Sequence, residues 1–193
     1  KFLYCYNIKM QQPLDNLVEQ AETIPLSGSD LNTITEGKSN ILAYSDLEKY
    51  QNIDDVLGEF GAAIILYQHD EGFGHWVSIF KIDSKTLYFF DPYSIQIDKE
   101  IEFSPFQIKR HHGKIVPHLT DLINNSKYNL IQNKTRYQRF KKDINTCGRW
   151  CGHRILHRTM TEKSYSKLML GNEYYNGDFW VSILTIPSAK FLM

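Results

Sequence analysis

Apolar positions along the chain change rhythm several times, and each rhythm predicts an element. Leu47, Tyr50, Val56, Leu57 and Phe60 recur at roughly helical spacing. Ser45 and Glu48 form a capping pair ahead of them, so a helix is predicted from near Ser45, with Gly58 or Gly61 to end it. Ala62 to Tyr67 is a continuous apolar run of strand length and reads as a buried strand. Trp76–Ile82 and Thr86–Phe90 flank the turn-compatible Asp83-Ser84-Lys85, which predicts a hairpin. Further on, Leu119–Asn124 reads as a short helix and Tyr128–Ile131 as a strand. Trp150, Cys151, Ile155 and Leu156 fit a helix opened by Cys147-Gly148. Asp178 is the expected N-cap of a last helix carrying Phe179, Val181, Ile183 and Leu184. The stretch before Gly37 is mixed, with turn chemistry at Ser27-Gly28-Ser29, and Ile101–Val116 shows no clear period. Strands in the middle with helices before and after predict an α+β domain.

Length and composition narrow the class. Domains run to about 100–200 residues, so residues 1–193 are expected to form a single domain. With 42% hydrophobic, 13% aromatic and 23% charged residues, the chain is neither a disordered tail nor a collagen-like or low-complexity segment. No uncharged apolar run approaches the length of about 18 residues that a membrane span needs. The opening Lys1-Phe2-Leu3-Tyr4-Cys5 lacks the pattern of a secretory signal, so no membrane partner is expected. Three cysteines are too few for a secreted disulfide framework, which implies free thiols and a reducing compartment.

Net charge is zero, yet the signs are segregated. Residues 1–103 hold 7 Lys against 17 Asp and Glu, whereas residues 104–170 hold 14 Lys and Arg against 3 acids. A basic patch for DNA is one reading, built on Lys109, Arg110, Lys114, Lys134, Arg136, Arg139, Lys141 and Lys142. The plainer reading is that the acidic half folds against the basic half, or that these charges are simply solvated.

Three segments carry candidate chemistry. Gly74-His75-Trp76 places a histidine at the mouth of a predicted strand, and Phe90-Asp91-Pro92 closes the next strand with an acid. Thr146-Cys147-Gly148 puts a thiol where a helix begins. In a hairpin turning at Asp83–Lys85, His75 and Asp91 are near neighbours at its open end. Thiolate, not thiol, is the nucleophile, and both a helix N-terminus and an adjacent imidazolium favour it. His75 would then serve as base and acid, with Asp91 fixing its tautomer. The Cys147 N–H and a side-chain amide would hold an oxyanion, and Gly148 would admit a substrate backbone. Taken alone each piece has a bland counterpart: a packed histidine, a turn-forming acid, an inert core thiol.

Together Gly74-His75-Trp76, Asp91-Pro92 and Thr146-Cys147-Gly148-Arg149-Trp150 resemble the adenovirus-type and SUMO-protease-type cysteine peptidases. Within that group the likeness is to the maturation proteases of virophages, Polinton-like elements and large DNA viruses. It extends over roughly Leu26 to Ile186 and includes Asp178-Phe179-Trp180-Val181-Ser182. The His, Asp, Cys order is the specific part, because papain-like enzymes proper run Cys first.

The resemblance implies a papain-like fold of the adenovirus protease and SUMO protease type, a central mixed sheet flanked by helices. It makes His75 the general base, Asp91 the orienting acid and Cys147 the nucleophile. Gln138, nine residues before Cys147, is the implied oxyanion-hole glutamine if a short insertion lengthens that loop. Trp76 and Gly148 would line the substrate site. The implied substrates are capsid or other virion precursors, cut near small residues, in the virion and the infected host cell (cytoplasm or virus factory). A DNA or peptide activator, a monomeric state and no cofactor are also expected.

Rival readings use the same residues. Cys147, Cys151, His153 and His157 pair at helical spacing, but the two pairs point about 200–240° apart on a helix turning about 100° per residue. They cannot converge on one tetrahedral zinc, so no metal is expected. Cys151 reads as core and as the second-choice nucleophile. A deubiquitinating or deSUMOylating isopeptidase, an effector-type acyltransferase and a non-catalytic binding module remain as alternatives for the function.

Overall fold

Two helices precede the sheet in the computed structural model, which describes residues 16–70, 73–103 and 116–186. Helix α1 covers residues 16–23 and α2 is Gly28–Ile34. The Ser27 hydroxyl accepts from the Asp30 N–H at 3.3 Å while the Asp30 carboxylate accepts from the Ser27 N–H at 3.0 Å. That reciprocal box makes Ser27-Gly28-Ser29 the start of a helix, where the sequence suggested only a turn.

Five strands follow: β1 (Asn40–Ala43), β2 (Ala62–Asp70), β3 (Phe73–Lys81), β4 (Thr86–Phe90) and β5 (Asn129–Gln132). They lie in the order β1-β2-β3-β4-β5, with the outer pairs parallel and the inner pairs antiparallel. The remaining helices are α3 (Ile53–Leu57), α4 (His118–Asn124), α5 (Cys147–Leu156), α6 (Glu162–Leu170) and α7 (Gly177–Thr185). The chain is therefore α+β, a five-stranded mixed sheet flanked by helices.

Strand β2 is apolar without alternation because both of its faces are covered. Ala62, Ile64 and Leu66 join Trp76, Phe80, Trp150 and Cys151 on one face, beneath α5. Ala63, Ile65 and Tyr67 join Val77, Ile79, Ile53 and Leu119 on the other. The predicted hairpin is present, with Ser78 opposite Phe90 and Lys81 opposite Leu87.

Two predicted helix starts are corrected. In place of one helix from Ser45, the chain makes a 3-10 turn over Tyr44–Lys49 and then α3. Asn52 recaps the chain by accepting from the Asp55 N–H at 2.9 Å, so the helical run restarts there. In α7 the N-cap is Asn176, whose side chain accepts from the Phe179 N–H at 3.1 Å. Asp178 is instead fully buried inside the first turn. A 3-10 turn, Lys99–Phe103, runs into the start of the aperiodic stretch. Residues 104–115, with Lys109, Arg110 and Lys114, lie outside the described residues. Among the described residues no helix is long and apolar enough to cross a membrane.

Candidate active site

At the open end of the hairpin, His75 Nε2 lies 3.1 Å from Asp91 Oδ1. Both side chains are buried, at 7% and 1% exposure. With Phe90 opposite Ser78, the two residues sit diagonally rather than face to face, within the reach that cross-strand pairs allow. Asp91 is held by Asn133, whose Oδ1 accepts from the Asp91 N–H at 2.9 Å and whose Nδ2 donates to the Asp91 carbonyl at 2.7 Å. The Tyr93 N–H donates to Asp91 Oδ1 at 2.6 Å, and the Tyr93 ring stacks on His75 with centroids 4.9 Å apart. Nothing in the sequence around Asn133 marked it for this clamp, which spans 42 positions.

Gly74 lets β3 reach this point. A Cβ there would lie 2.0 Å from the Tyr67 carbonyl oxygen, beside the irregular pairing at Gln68 and Asp70.

Cys147 is the first residue of α5 and is half-buried. Its sulfur neighbours the His75 ring, close enough to act on the charge of the imidazole. With Nε2 taken by Asp91, the nitrogen left to the thiol is Nδ1. Burial pulls the imidazole toward its neutral form. The hydrogen bond to Asp91 and the nearby Cys147 sulfur, with their charges, outweigh that pull and push His75 up to about 10. The ring sits between a carboxylate and a sulfur, and both favour its protonated form.

Thr146 precedes the helix but does not cap it: its hydroxyl donates to Asp178 Oδ1 at 2.5 Å. The first N–H groups of α5 are left without a side-chain cap from Thr146, beside the sulfur, where a helix binds negative charge. Asp178 also accepts from Trp150 Nε1 at 2.9 Å and from Arg139 Nε at 2.9 Å. It ties the start of α5 to the loop that carries Gln138.

Gln138 is buried and close to this start. Its backbone N–H donates to the Pro92 carbonyl at 3.0 Å, and its Nε2 donates to the Ile144 carbonyl at 2.9 Å. Its Oε1 has no partner among the described residues. Trp76 donates from Nε1 to the Leu26 carbonyl at 3.1 Å. It lines a cavity of about 100 Å³ with Pro25, Leu66, Phe73, Gly74 and Cys147. Gly148 is buried, and a Cβ on it would meet Trp76 Cδ1 at 3.1 Å and Leu31 Cδ2 at 3.2 Å. The close approach expected of a substrate backbone is made by the protein's own core.

Cys151 donates to the Trp76 carbonyl at 3.2 Å, and burial pushes its thiol up, so it is core rather than nucleophile. His153 packs with its Nδ1 2.9 Å from the Tyr165 hydroxyl, and burial, helped by His157 and Arg154, lowers it to about 3.

Among the described residues, those that the sequence offers for DNA have different surroundings. Arg139, placed there by sequence, is ion-paired to Asp178 at 2.9 Å and to Glu22 at 3.2 Å, which joins the acidic and basic halves of the chain. Arg136 lies 4.9 Å over the Phe140 ring. Lys134, Lys141 and Lys142 are exposed.

His75, Asp91 and Glu100 are the described residues whose donor atoms come close enough to share a cation, all within 4.8 Å of one another. No local pattern in the sequence marks Glu100, which only the fold brings to the pair.

No family model matches the chain. It is similar to an uncharacterized protein, V9, of the Sputnik virophage. The two are 32% identical over 168 residues, which is 86% of this chain and 96% of that protein.

Proposed function

The chain belongs to the family of the Sputnik virophage protein V9, and we propose that it is a cysteine endopeptidase of virion maturation. The proposal includes the papain-like fold of the adenovirus protease and SUMO protease type. One observation carries it: the buried His75 is hydrogen-bonded to Asp91 and neighbours the half-buried thiol of Cys147 at the start of α5.

The chemistry runs in two halves. The Cys147 thiolate attacks the scissile carbonyl, and the oxyanion is met by the Cys147 backbone N–H and the Gln138 amide. His75 Nδ1–H passes its proton to the leaving amine as the C–N bond breaks, leaving a thioester on Cys147. A water then gives a proton to the neutral His75 and attacks the thioester. The acid product leaves, and the thiolate–imidazolium pair is restored. Asp91 keeps Nε2–H bonded throughout, so the ring presents Nδ1 to sulfur and substrate in both halves.

The cavity of about 100 Å³ beside Cys147 supports a substrate with small residues on its acyl side. Capsid or other virion precursors, met in the virion and the infected cell, are the proposed substrates. The test is to incubate the purified chain with the capsid precursor of the same virus and to read new termini by mass spectrometry. New termini with the wild type and none with Cys147→Ala support the reading. Cleavage by Cys147→Ala at the wild-type rate overturns it.

A further inference from the structure

Glu100 occupies a position for which a simple surface role gives no reason. It is 6% exposed, and its carboxylate lies within 4.8 Å of both the His75 ring nitrogen and the Asp91 carboxylate. Two acids buried this close repel unless a positive charge lies between or beside them. His75 is the group that supplies it.

The chain holds Glu100 there from two directions. Two residues earlier, Asp98 adopts a left-handed backbone with φ of 60°. Its Oδ1 accepts from the Tyr44 hydroxyl at 2.8 Å and the Tyr67 hydroxyl at 2.9 Å, and its Oδ2 from the Thr120 N–H at 2.8 Å. Tyr67 stands directly opposite His75 in the sheet. The turn Lys99–Phe103 is therefore pinned to the pair of strand positions that presents His75. From the other side, His69 Nε2 lies 3.0 Å from Glu100 Oε2. His69 stands where the pairing of β2 with β3 shifts register, between Gln68 and Asp70.

We propose that Glu100 is a second positioning carboxylate for His75, acting beside Asp91 and steadied by His69. The inference rests on the reading of His75 as the partner of a nucleophilic Cys147. In it, the imidazolium is held by two acids, so removal of Asp91 alone leaves part of the field that charges and orients the ring. The groups facing His75 are then Asp91, Glu100, the Cys147 sulfur and the stacked Tyr93 ring, with His69 beyond Glu100.

The test is a proton NMR titration of isotope-labelled histidine in the whole chain, with His75 assigned through His75→Gln. The wild-type midpoint is expected near 10. Glu100→Gln is expected to lower it by about one unit or more, the usual effect of a neighbouring charge. Glu100→Asp, which keeps the charge, is expected to recover most of the shift. A midpoint that Glu100→Gln leaves unmoved overturns the proposal, as does an equal loss in the Gln and Asp variants, which would mark a packing role. Should Glu100→Gln fail to fold, the Asp91→Asn, Cys147→Ser double variant carries the test. With Glu100 the remaining acid, His75 is expected to stay at or above its ordinary 6.5, and a fall well below that value overturns the proposal. A wild-type midpoint at the ordinary value would overturn the peptidase reading as well. A raised wild-type midpoint that is indifferent to Glu100 refutes the role of Glu100 alone.

Discussion

The hydroxyl of Thr146 donates to the carboxylate of Asp178 at 2.5 Å, one residue before the thiol at the head of α5. The same carboxylate receives Trp150 and Arg139, so three segments of chain meet on one buried acid. Asp178→Ala strands three donors and one guanidinium, and it is expected to cost about 3 kcal/mol of stability. Urea unfolding of the variant measures this. A loss within the scatter of surface substitutions would remove Asp178 from the framework of the site.

Stability should peak near pH 6.5 and fall on both sides. His153 is held down to about 3 by burial, so the unfolded chain binds the extra proton between 6.5 and 3 and stability is lost as pH falls through that window. His75 is raised to about 10, so the folded chain binds the extra proton between 6.5 and 10 and stability is lost as pH rises through that window. Unfolding free energies across this range check both limbs. His75→Gln is expected to flatten the alkaline limb and His153→Gln the acid one. A limb that keeps its slope in its own variant contradicts the assignment.

Two glycines that frame the site should differ in their tolerance. At Gly148 the added methyl meets side-chain atoms at 3.1 and 3.2 Å, which give by a few tenths of an ångström, so Gly148→Ala is expected to cost about 1–2 kcal/mol. At Gly74 it meets a backbone oxygen at 2.0 Å, and Gly74→Ala is expected to cost about 3 kcal/mol or more by pushing β3 off β2. Thermal melting of the two variants ranks them. The reverse order would show that β3 does not depend on that close approach.

Legibility of the sequence followed the range of the interactions. Strands β2 to β4 and helix α5 announce themselves through apolar runs, a polar turn and a helical period, all signals that act over a few residues. His75, Asp91 and Cys147 could be brought together on paper because two of them bracket a hairpin and the third opens a helix. The helix predicted from Ser45 was misjudged because a closer competitor, Asn52, caps the chain again before α3. Asp178 looked like a cap by composition, yet Asn176 takes that role and frees Asp178 for partners 28 to 39 positions away. Asn133 and Glu100 act on Asp91 and His75 through tertiary contacts alone, which no local pattern encodes. Arg139 stands in the candidate basic patch, and its pairing with Glu22, one way for the acidic half to meet the basic half, spans 117 positions.

The most direct measurement is the intact mass and peptide map of the chain after reaction with a peptide ending in an α,β-unsaturated methyl ester, a Michael acceptor that forms a stable thioether with a positioned thiolate. One adduct on Cys147, none on Cys151, and a rate reduced by about a hundredfold or more in His75→Ala are expected of general acid–base assistance. Labelling of Cys147 at an equal rate with and without His75, or no labelling of Cys147 at all, would contradict a histidine-activated nucleophile in this protein.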